Sequence, residues 1–126
     1  MITKENVLEK VKDVLAESLD IDTDHISLDD LMFSNYDIES TEILEITFRI
    51  EEEFEIEMKE DEFWNIPSLI ANESTYSNLH SKKTMELIKK YFEISEESIS
   101  KLNSPFELYD YISVKDLVNY IQDKIC

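Results

Sequence analysis

Apolar residues recur at three- and four-residue spacing along several stretches of this chain, and that period predicts helices with one buried face. The first stretch covers residues 5–19, where the stripe consists of Val7, Leu8, Val11, Val14 and Leu15. The second stretch covers residues 40–55, where the stripe consists of Ile43, Ile46, Ile50 and Phe54. Both stripes are expected to face the core.

The C-terminal half predicts further helical segments. One fits residues 82–92, and its stripe consists of Met85, Ile88 and Phe92. A short turn or helix fits residues 96–102, after which Pro105 interrupts the pattern. The last helix is expected to begin near Ser113, whose hydroxyl can cap it. Its buried face would consist of Val114, Leu117, Val118 and Ile121.

Two segments lack the helical period and are predicted as loops. Residues 20–39 carry clustered Asp, Ser and Asn, which is typical of an ordered connection. Its expected apolar anchors are Ile21, Ile26, Leu31 and Phe33. Residues 72–81 form a polar run of the same kind. Because no segment sustains two-residue alternation, the sequence predicts an all-α fold.

The length and charge of the chain limit the kinds of function it can have. The chain has 126 residues, and a hydrophobic share of 42% is enough to form the core of a single domain. Its 30 Asp and Glu outnumber 12 Lys and Arg, for a net charge of −18, which disfavours nucleic acid and anionic lipid as partners. No long apolar run occurs, so we expect a cytoplasmic protein without membrane insertion. We also expect a monomer.

Several kinds of chemistry lack their usual residues. Glycine is absent, which disfavours phosphate-binding loops and the nucleophile elbow of hydrolases. The two histidines, His25 and His80, are too few for a typical zinc site, and Cys126 is an isolated thiol at the last position. The alternating carboxylates at residues 20–24 begin like a calcium loop, but Leu31 stands where that loop needs a bidentate glutamate.

The most informative motif begins at residue 36. Glu39 precedes Ser40 at the predicted start of the second helix, and Glu45 follows five residues after the serine. An acidic triplet, residues 51–53, is then followed by Phe54. In these residues the chain resembles the acyl carrier protein family, which has an acid, a serine and an acidic triplet at the same spacing. The final helix, from Ser113, also resembles the last helix of that family.

The resemblance implies a function. Ser40 would carry a covalent 4′-phosphopantetheine arm, transferred from coenzyme A by a phosphopantetheinyl transferase, with Glu39 beside it. The thiol of the arm holds acyl groups as thioesters, so the protein would be a carrier and not an enzyme. A fatty-acid, lipid or polyketide pathway fits this function. An anionic arm at a helix start is also favoured by the helix dipole.

The second helix would also supply the docking face for acyl-loading and acyl-transferring enzymes with basic docking surfaces. Its expected contact residues are Glu42, Leu44, Glu45, Phe48, Glu52 and Glu53. From periodicity alone, the same residues could equally form an ordinary solvated face with peripheral core residues.

The chain departs from the family pattern at two levels. Around the serine, Asp37, Glu39 and Thr41 stand where the family has glycine, aspartate and leucine. In addition, residues 59–112 stand where typical carriers have a short third helix. We therefore expect an acyl-carrier-like four-helix bundle with an additional helical insertion, which either widens the acyl cavity or docks one dedicated partner. The aromatic residues expected to pack it are Phe63, Trp64, Tyr76, Tyr91, Phe92, Phe106, Tyr109 and Tyr111.

Other readings stay open. The chain could be an interaction module that keeps the carrier fold without the arm, or an acidic protein that imitates nucleic acid. A hydrolytic enzyme has the least support, because no trio of nucleophile, base and oxyanion donor is visible in the sequence. A weak internal echo, in which Ser40 and Leu44 recur as Ser113 and Leu117, would fit a degenerate duplication.

Overall fold

The computed structural model describes residues 3–58, 63–64 and 82–125. The chain forms two compact units, Met1–Met58 with Ser113–Cys126, and Lys59–Ile112. Helices account for the regular structure of the described residues, and their only strand-like feature is an isolated antiparallel bridge between Leu31 and Ser113. The all-α prediction is confirmed. That residues 59–112 are an insertion within a single domain stays a prediction.

The first helix, α1 (Lys4–Leu19), matches the predicted stripe. It begins at Thr3, whose Oγ1 accepts a 3.2 Å hydrogen bond from the backbone N–H of Asn6. It ends at Asp20, which adopts the left-handed conformation with φ 55°. The buried residues of α1 are Val7, Val11, Val14 and Leu15.

Two further long helices, α3 (Ser40–Phe54) and α6 (Val114–Ile125), pack against α1. In α3 the buried residues are Ile46, Ile50 and Phe54, whereas Ile43 is half-buried. In α6 every residue of the predicted stripe is buried. Each fully buried aliphatic side chain contributes about 1.5–3 kcal/mol relative to exposure, so these three stripes hold the first unit together.

The predicted loop between α1 and α3 contains regular structure that the sequence pattern did not indicate. It holds a 3₁₀ helix, Thr23–His25, and a short helix, α2 (Met32–Asn35). Met32 is fully buried although it was not an expected anchor, while Ile21, Leu31 and Phe33 are only half-buried. A four-residue helix is too short to produce a detectable period, so the sequence predicted an ordered loop with Ile26 buried, but not the two short helices within it.

The second unit contains α4 (Lys82–Tyr91), α5 (Glu96–Ser100) and a 3₁₀ helix, Pro105–Tyr111. Pro105 therefore begins an element, and does not merely interrupt one, because proline suits the first turn of a helix. The side chains of Phe63 and Trp64 are buried and meet edge to face, with ring centroids 4.9 Å apart. The aliphatic and other aromatic core residues are Ile88, Phe92, Ile99, Leu102, Leu108 and Ile112.

One expectation was wrong, and others concern residues that the structure does not describe. Phe106 was expected to pack into the core, but 47% of it is exposed. The polar run 72–81, together with Tyr76, His80 and Cys126, lies outside the described residues. In the part of the chain that is described, no helix combines the length and apolar character needed to cross a membrane.

Candidate functional site

The predicted attachment residue, Ser40, is the first residue of α3. Glu39 occupies the N-cap position in an extended conformation, with φ −94° and ψ 163°. The carboxylate of Glu42 accepts a 2.9 Å hydrogen bond from the backbone N–H of Glu39. A hydrogen bond from the N–H of the N-cap residue to the side chain three residues later helps to fix the start of the helix. Glu42, expected to meet a partner enzyme, thus has a role in its own chain.

The backbone before Ser40 turns through a left-handed residue, Asp37, with φ 52°. Asp and Asn enter this region more readily than most non-glycine residues because their short side chains can form local hydrogen bonds. The position is the one at which Asp37 replaces the expected family glycine. The departure in the sequence therefore preserves a backbone shape that glycine would adopt without steric cost.

The loop before the site is fixed to the last helix through Tyr36 and Asp30. The hydroxyl of Tyr36 donates a 2.5 Å hydrogen bond to the carboxylate of Asp30, which also accepts the N–H of Ser27 at 2.9 Å. Burial first, and the hydrogen bond to Asp30 second, hold the pKa of Tyr36 well above its usual value. The carbonyl of Asp30 accepts the N–H of Val114 at 3.0 Å, which links the loop to the start of α6.

The two apolar residues predicted on the flank of α3 are both exposed. Leu44 is 57% exposed and Phe48 is 69% exposed, and they lie one helical turn apart. Large apolar side chains next to each other on a surface are more informative than single ones, because contiguous apolar patches often mark interaction sites. This pair is the main apolar feature of the predicted docking face.

Two of the four acidic residues expected to face partners, Glu45 and Glu53, have ionic contacts within the chain. Glu45 pairs with Arg49 at 3.1 Å, and the same guanidinium lies 2.6 Å from the carboxylate of Glu17 on α1. Glu53 lies 3.5 Å from the ammonium of Lys10. Glu52 is exposed, and no ion pair to it is present within the described ranges. The contact between Glu17 and Arg49 was not predicted, since it depends on how α1 packs against α3.

An open cleft of about 330 Å³ lies beside α1 in the first unit. Its lining includes Lys10, Asp13, Glu17 and Glu53, with Val14 and Ala16 as its apolar members. Charged walls of this kind are unsuited to a long acyl chain, because burying carboxylates against hydrocarbon is unfavourable. The cleft is therefore no acyl-binding cavity.

Comparison with known proteins decides the family. Residues 9–71 match the model of the family described as phosphopantetheine attachment site. The acyl carrier protein of Clostridium acetobutylicum is 32% identical over 77 residues, which cover 61% of this chain and 99% of that protein. This chain belongs to the acyl carrier protein family.

Further relatives agree with this identification. The acyl carrier protein of Petrotoga mobilis is 29% identical over 68 residues, 54% of this chain and 80% of that protein. The polyketide-8 synthase acyl carrier protein 2 of Streptomyces avermitilis is 34% identical over 74 residues, 59% of this chain and 82% of that protein. No solved structure matches the chain.

Family membership establishes the general chemistry of this acyl carrier. Carriers of this family are non-catalytic and bear a covalently attached 4′-phosphopantetheine, whose thiol carries the acyl group. They interact with a phosphopantetheinyl transferase and with acyl-handling enzymes. The start of α3 fits such a group, because the N–H groups of a first helical turn lack intrahelical acceptors and favour a phosphate nearby.

The second serine of the internal echo, Ser113, has a structural role in this carrier. Its hydroxyl accepts the N–H of Asp116 at 3.2 Å, and its own N–H donates to the carboxylate of Asp116 at 3.0 Å. Asp116 is only 2% exposed. The predicted cap of the last helix is confirmed, and Ser113 lies outside the residues that match the attachment-site family.

Proposed function

We propose that this acyl carrier bears its phosphopantetheine arm on Ser40 and presents thioester-linked acyl groups to acyl-loading and acyl-transferring enzymes. The observation that carries the proposal is that Ser40 begins α3 within the matched residues 9–71. Glu39, directly before it, supplies the acidic residue of the family motif. The cytoplasmic location of the protein, its monomeric state and the role of residues 59–112 stay predictions.

The local structure supports attachment at this position. The helix dipole and the first-turn N–H groups of α3 favour the phosphodiester that links the arm to the serine oxygen. The carboxylates of Glu39 and Glu42 oppose that charge in part, and the hydrogen bond from the Glu39 N–H to Glu42 keeps one of them at the helix start. Asp37 and the contact between Tyr36 and Asp30 hold the preceding loop in one shape.

The docking face in this proposal is α3, with Leu44 and Phe48 as apolar contacts and Glu45, Glu52 and Glu53 as acidic ones. Exposed ion pairs contribute about 0–1 kcal/mol each, so binding through this face is weak and falls as salt increases. A carrier that visits several enzymes in turn benefits from such reversible binding, since a tight complex would delay the next transfer.

For the pathway we propose specialised fatty-acid, lipid or polyketide synthesis. Support comes from relatives named acyl carrier protein and from one named polyketide-8 synthase acyl carrier protein 2. Capture of the acyl group on the arm, followed by its identification by mass, distinguishes these pathways.

The attachment site is tested by incubating the purified chain with coenzyme A and several phosphopantetheinyl transferases, then measuring intact mass. We expect one phosphopantetheine adduct, absent in Ser40→Ala and retained in Ser113→Ala. If none of the transferases gives an adduct, the result would instead favour a carrier fold that acts as an unmodified interaction module. An adduct that persists in Ser40→Ala and is absent in Ser113→Ala would move the attachment site to the last helix.

A further inference from the structure

Arg49 places a positive charge within the acidic face of α3. Its Nη1 lies 2.6 Å from Oε2 of Glu17, while its Nη2 and Nε lie 3.1 and 3.3 Å from the same oxygen, Oε1, of Glu45. One guanidinium thus joins α1 to α3 and also occupies one oxygen of the Glu45 carboxylate. Its planar arrangement of donors suits two carboxylates at once, which an ammonium group would hold less rigidly.

Two of the other three acidic side chains of this face also have contacts within the chain, whereas Glu52 is exposed. Glu42 accepts the N–H of Glu39, and Glu53 lies 3.5 Å from Lys10, whose ammonium is also 5.7 Å from the centre of the Phe54 ring. At Glu42, Glu45 and Glu53 a basic partner must therefore compete with contacts that already exist within the chain. The exposed apolar side chains of α3 face no such competition, since more than half of each is accessible.

We infer that Arg49 is a specificity-determining residue of the docking face. By holding Glu45, it weakens binding to partners that place a lysine or arginine at this point. It favours instead a partner that binds this face through an apolar pocket for Leu44 and Phe48. The inference rests on the proposed function, because it takes α3 as the docking face.

The physical reason is the close repulsion of like charges. A partner cation that approaches Glu45 comes within a few ångströms of the guanidinium, where the repulsion offsets the attraction of the carboxylate. Displacing Arg49 to relieve the repulsion also breaks its contact with Glu17. A partner with an apolar pocket avoids both costs, because Leu44 and Phe48 are exposed and carry no charge.

The test measures the affinity of a phosphopantetheinyl transferase with a basic carrier-binding surface. All variants carry Ser40→Ala, so that no transfer occurs and binding is measured alone. We expect Arg49→Gln to bind about three- to tenfold more tightly at low salt. The gain should shrink as salt increases, and it should be lost when Glu45→Gln is added, because the released carboxylate is then missing.

Two control variants separate this explanation from others. Lys4→Gln changes the net charge equally, but Lys4 lies about 20 Å along α1 from Glu17, so affinity should change less than twofold. Glu17→Gln removes the contact between Arg49 and α1 while Glu45 stays paired, so no gain is expected. A gain in this variant would mean that loosening α1 from α3 is responsible, and would overturn the inference.

The remaining outcomes are equally decisive. The role of Arg49 would be overturned if Arg49→Gln bound the transferase no more tightly than the chain with Arg49 does. It would also be overturned if Lys4→Gln gave the same gain in affinity, or if the gain persisted after Glu45→Gln was added. Absence of transferase binding in all variants would overturn it too. The proposed function fails separately, if the chain with its native Ser40 acquires no phosphopantetheine.

Discussion

The hydroxyl of Tyr36 donates a 2.5 Å hydrogen bond to the carboxylate of Asp30, and this contact fixes the loop that leads into Ser40. Asp30 also accepts the N–H of Ser27 through its carboxylate and that of Val114 through its carbonyl. A single residue thus joins the loop, the approach to α3 and the start of α6. The shape of the proposed attachment site therefore depends on residues well before the serine.

We expect Tyr36→Phe to lower the free energy of unfolding by about 1–2 kcal/mol, since it removes a hydrogen bond to a charged acceptor. Asp30→Asn should cost at least as much, because it also weakens the contact with Ser27. Urea unfolding of both single variants and the double variant gives the coupling between them, which should be about 1–2 kcal/mol. Additive effects with no coupling would contradict a direct contact.

The same contact predicts a pH dependence in alkaline solution. The pKa of Tyr36 is raised in the folded chain, so the folded form retains the phenolic proton at pH values where the unfolded form has lost it. The contribution of Tyr36 to stability is therefore complete below about pH 10 and decreases as the pH rises above that value.

The check compares the unfolding free energy of the chain with that of Tyr36→Phe between pH 8 and about 11. The unsubstituted chain should lose stability more steeply above about pH 10 than the variant does. Parallel curves for the two proteins would show that Tyr36 titrates alike in the folded and unfolded states, against this prediction.

Asp37 should be replaceable by glycine without loss of stability. Its left-handed conformation costs a non-glycine residue about 1–2 kcal/mol, and glycine removes that cost while making the unfolded chain more flexible. We expect Asp37→Gly to change the unfolding free energy by about 0 to +1 kcal/mol. Asp37→Val, with a branched side chain, should lower it by about 1–2 kcal/mol. Equal stability of the two variants would argue against the left-handed turn.

Phe48 should contribute to docking and hardly to stability. Because 69% of it is exposed, Phe48→Ala should change the unfolding free energy by less than about 0.5 kcal/mol. It should nevertheless lower kcat/KM for transfer of the arm about fivefold or more, since an apolar contact is lost at the interface. Ile46→Ala is the matched control, because Ile46 is fully buried and its truncation should cost about 2–5 kcal/mol.

The comparison that contradicts the docking role is direct. If Phe48→Ala is transferred at the rate of the unsubstituted chain by several transferases, the exposed apolar pair does not contribute to binding. If Phe48→Ala instead destabilises the chain as much as Ile46→Ala does, the Phe48 side chain is buried, which contradicts its exposed position in the structure.

The sequence predicted α1, α3 and α6 well because each carries a long apolar stripe with a helical period. It did not predict α2, whose four residues give no period, nor the burial of Met32 within it. The pairing of Glu45 with Arg49 was within reach of sequence analysis, since the two residues are one turn apart on α3.

The contacts that cross between elements could not be predicted. Glu17 meets Arg49, and Tyr36 meets Asp30, only because of how helices and loop pack, and no spacing along the chain encodes either contact. The motif around Ser40 was different, because it is local and resembles a known family. Local patterns therefore located the proposed attachment site, whereas the network that positions it required the structure.

The central claim, that Ser40 bears the arm of an acyl carrier, is tested most directly on protein purified from cells that make acyl groups. Intact mass, followed by fragmentation of the peptide that contains Ser40, reports whether the serine is modified and what the thiol carries. We predict a phosphopantetheine on Ser40 in a fraction of the molecules, with an acyl group that hydroxylamine removes. Uniformly unmodified Ser40, in cells whose other acyl carriers are fully modified, would contradict the account.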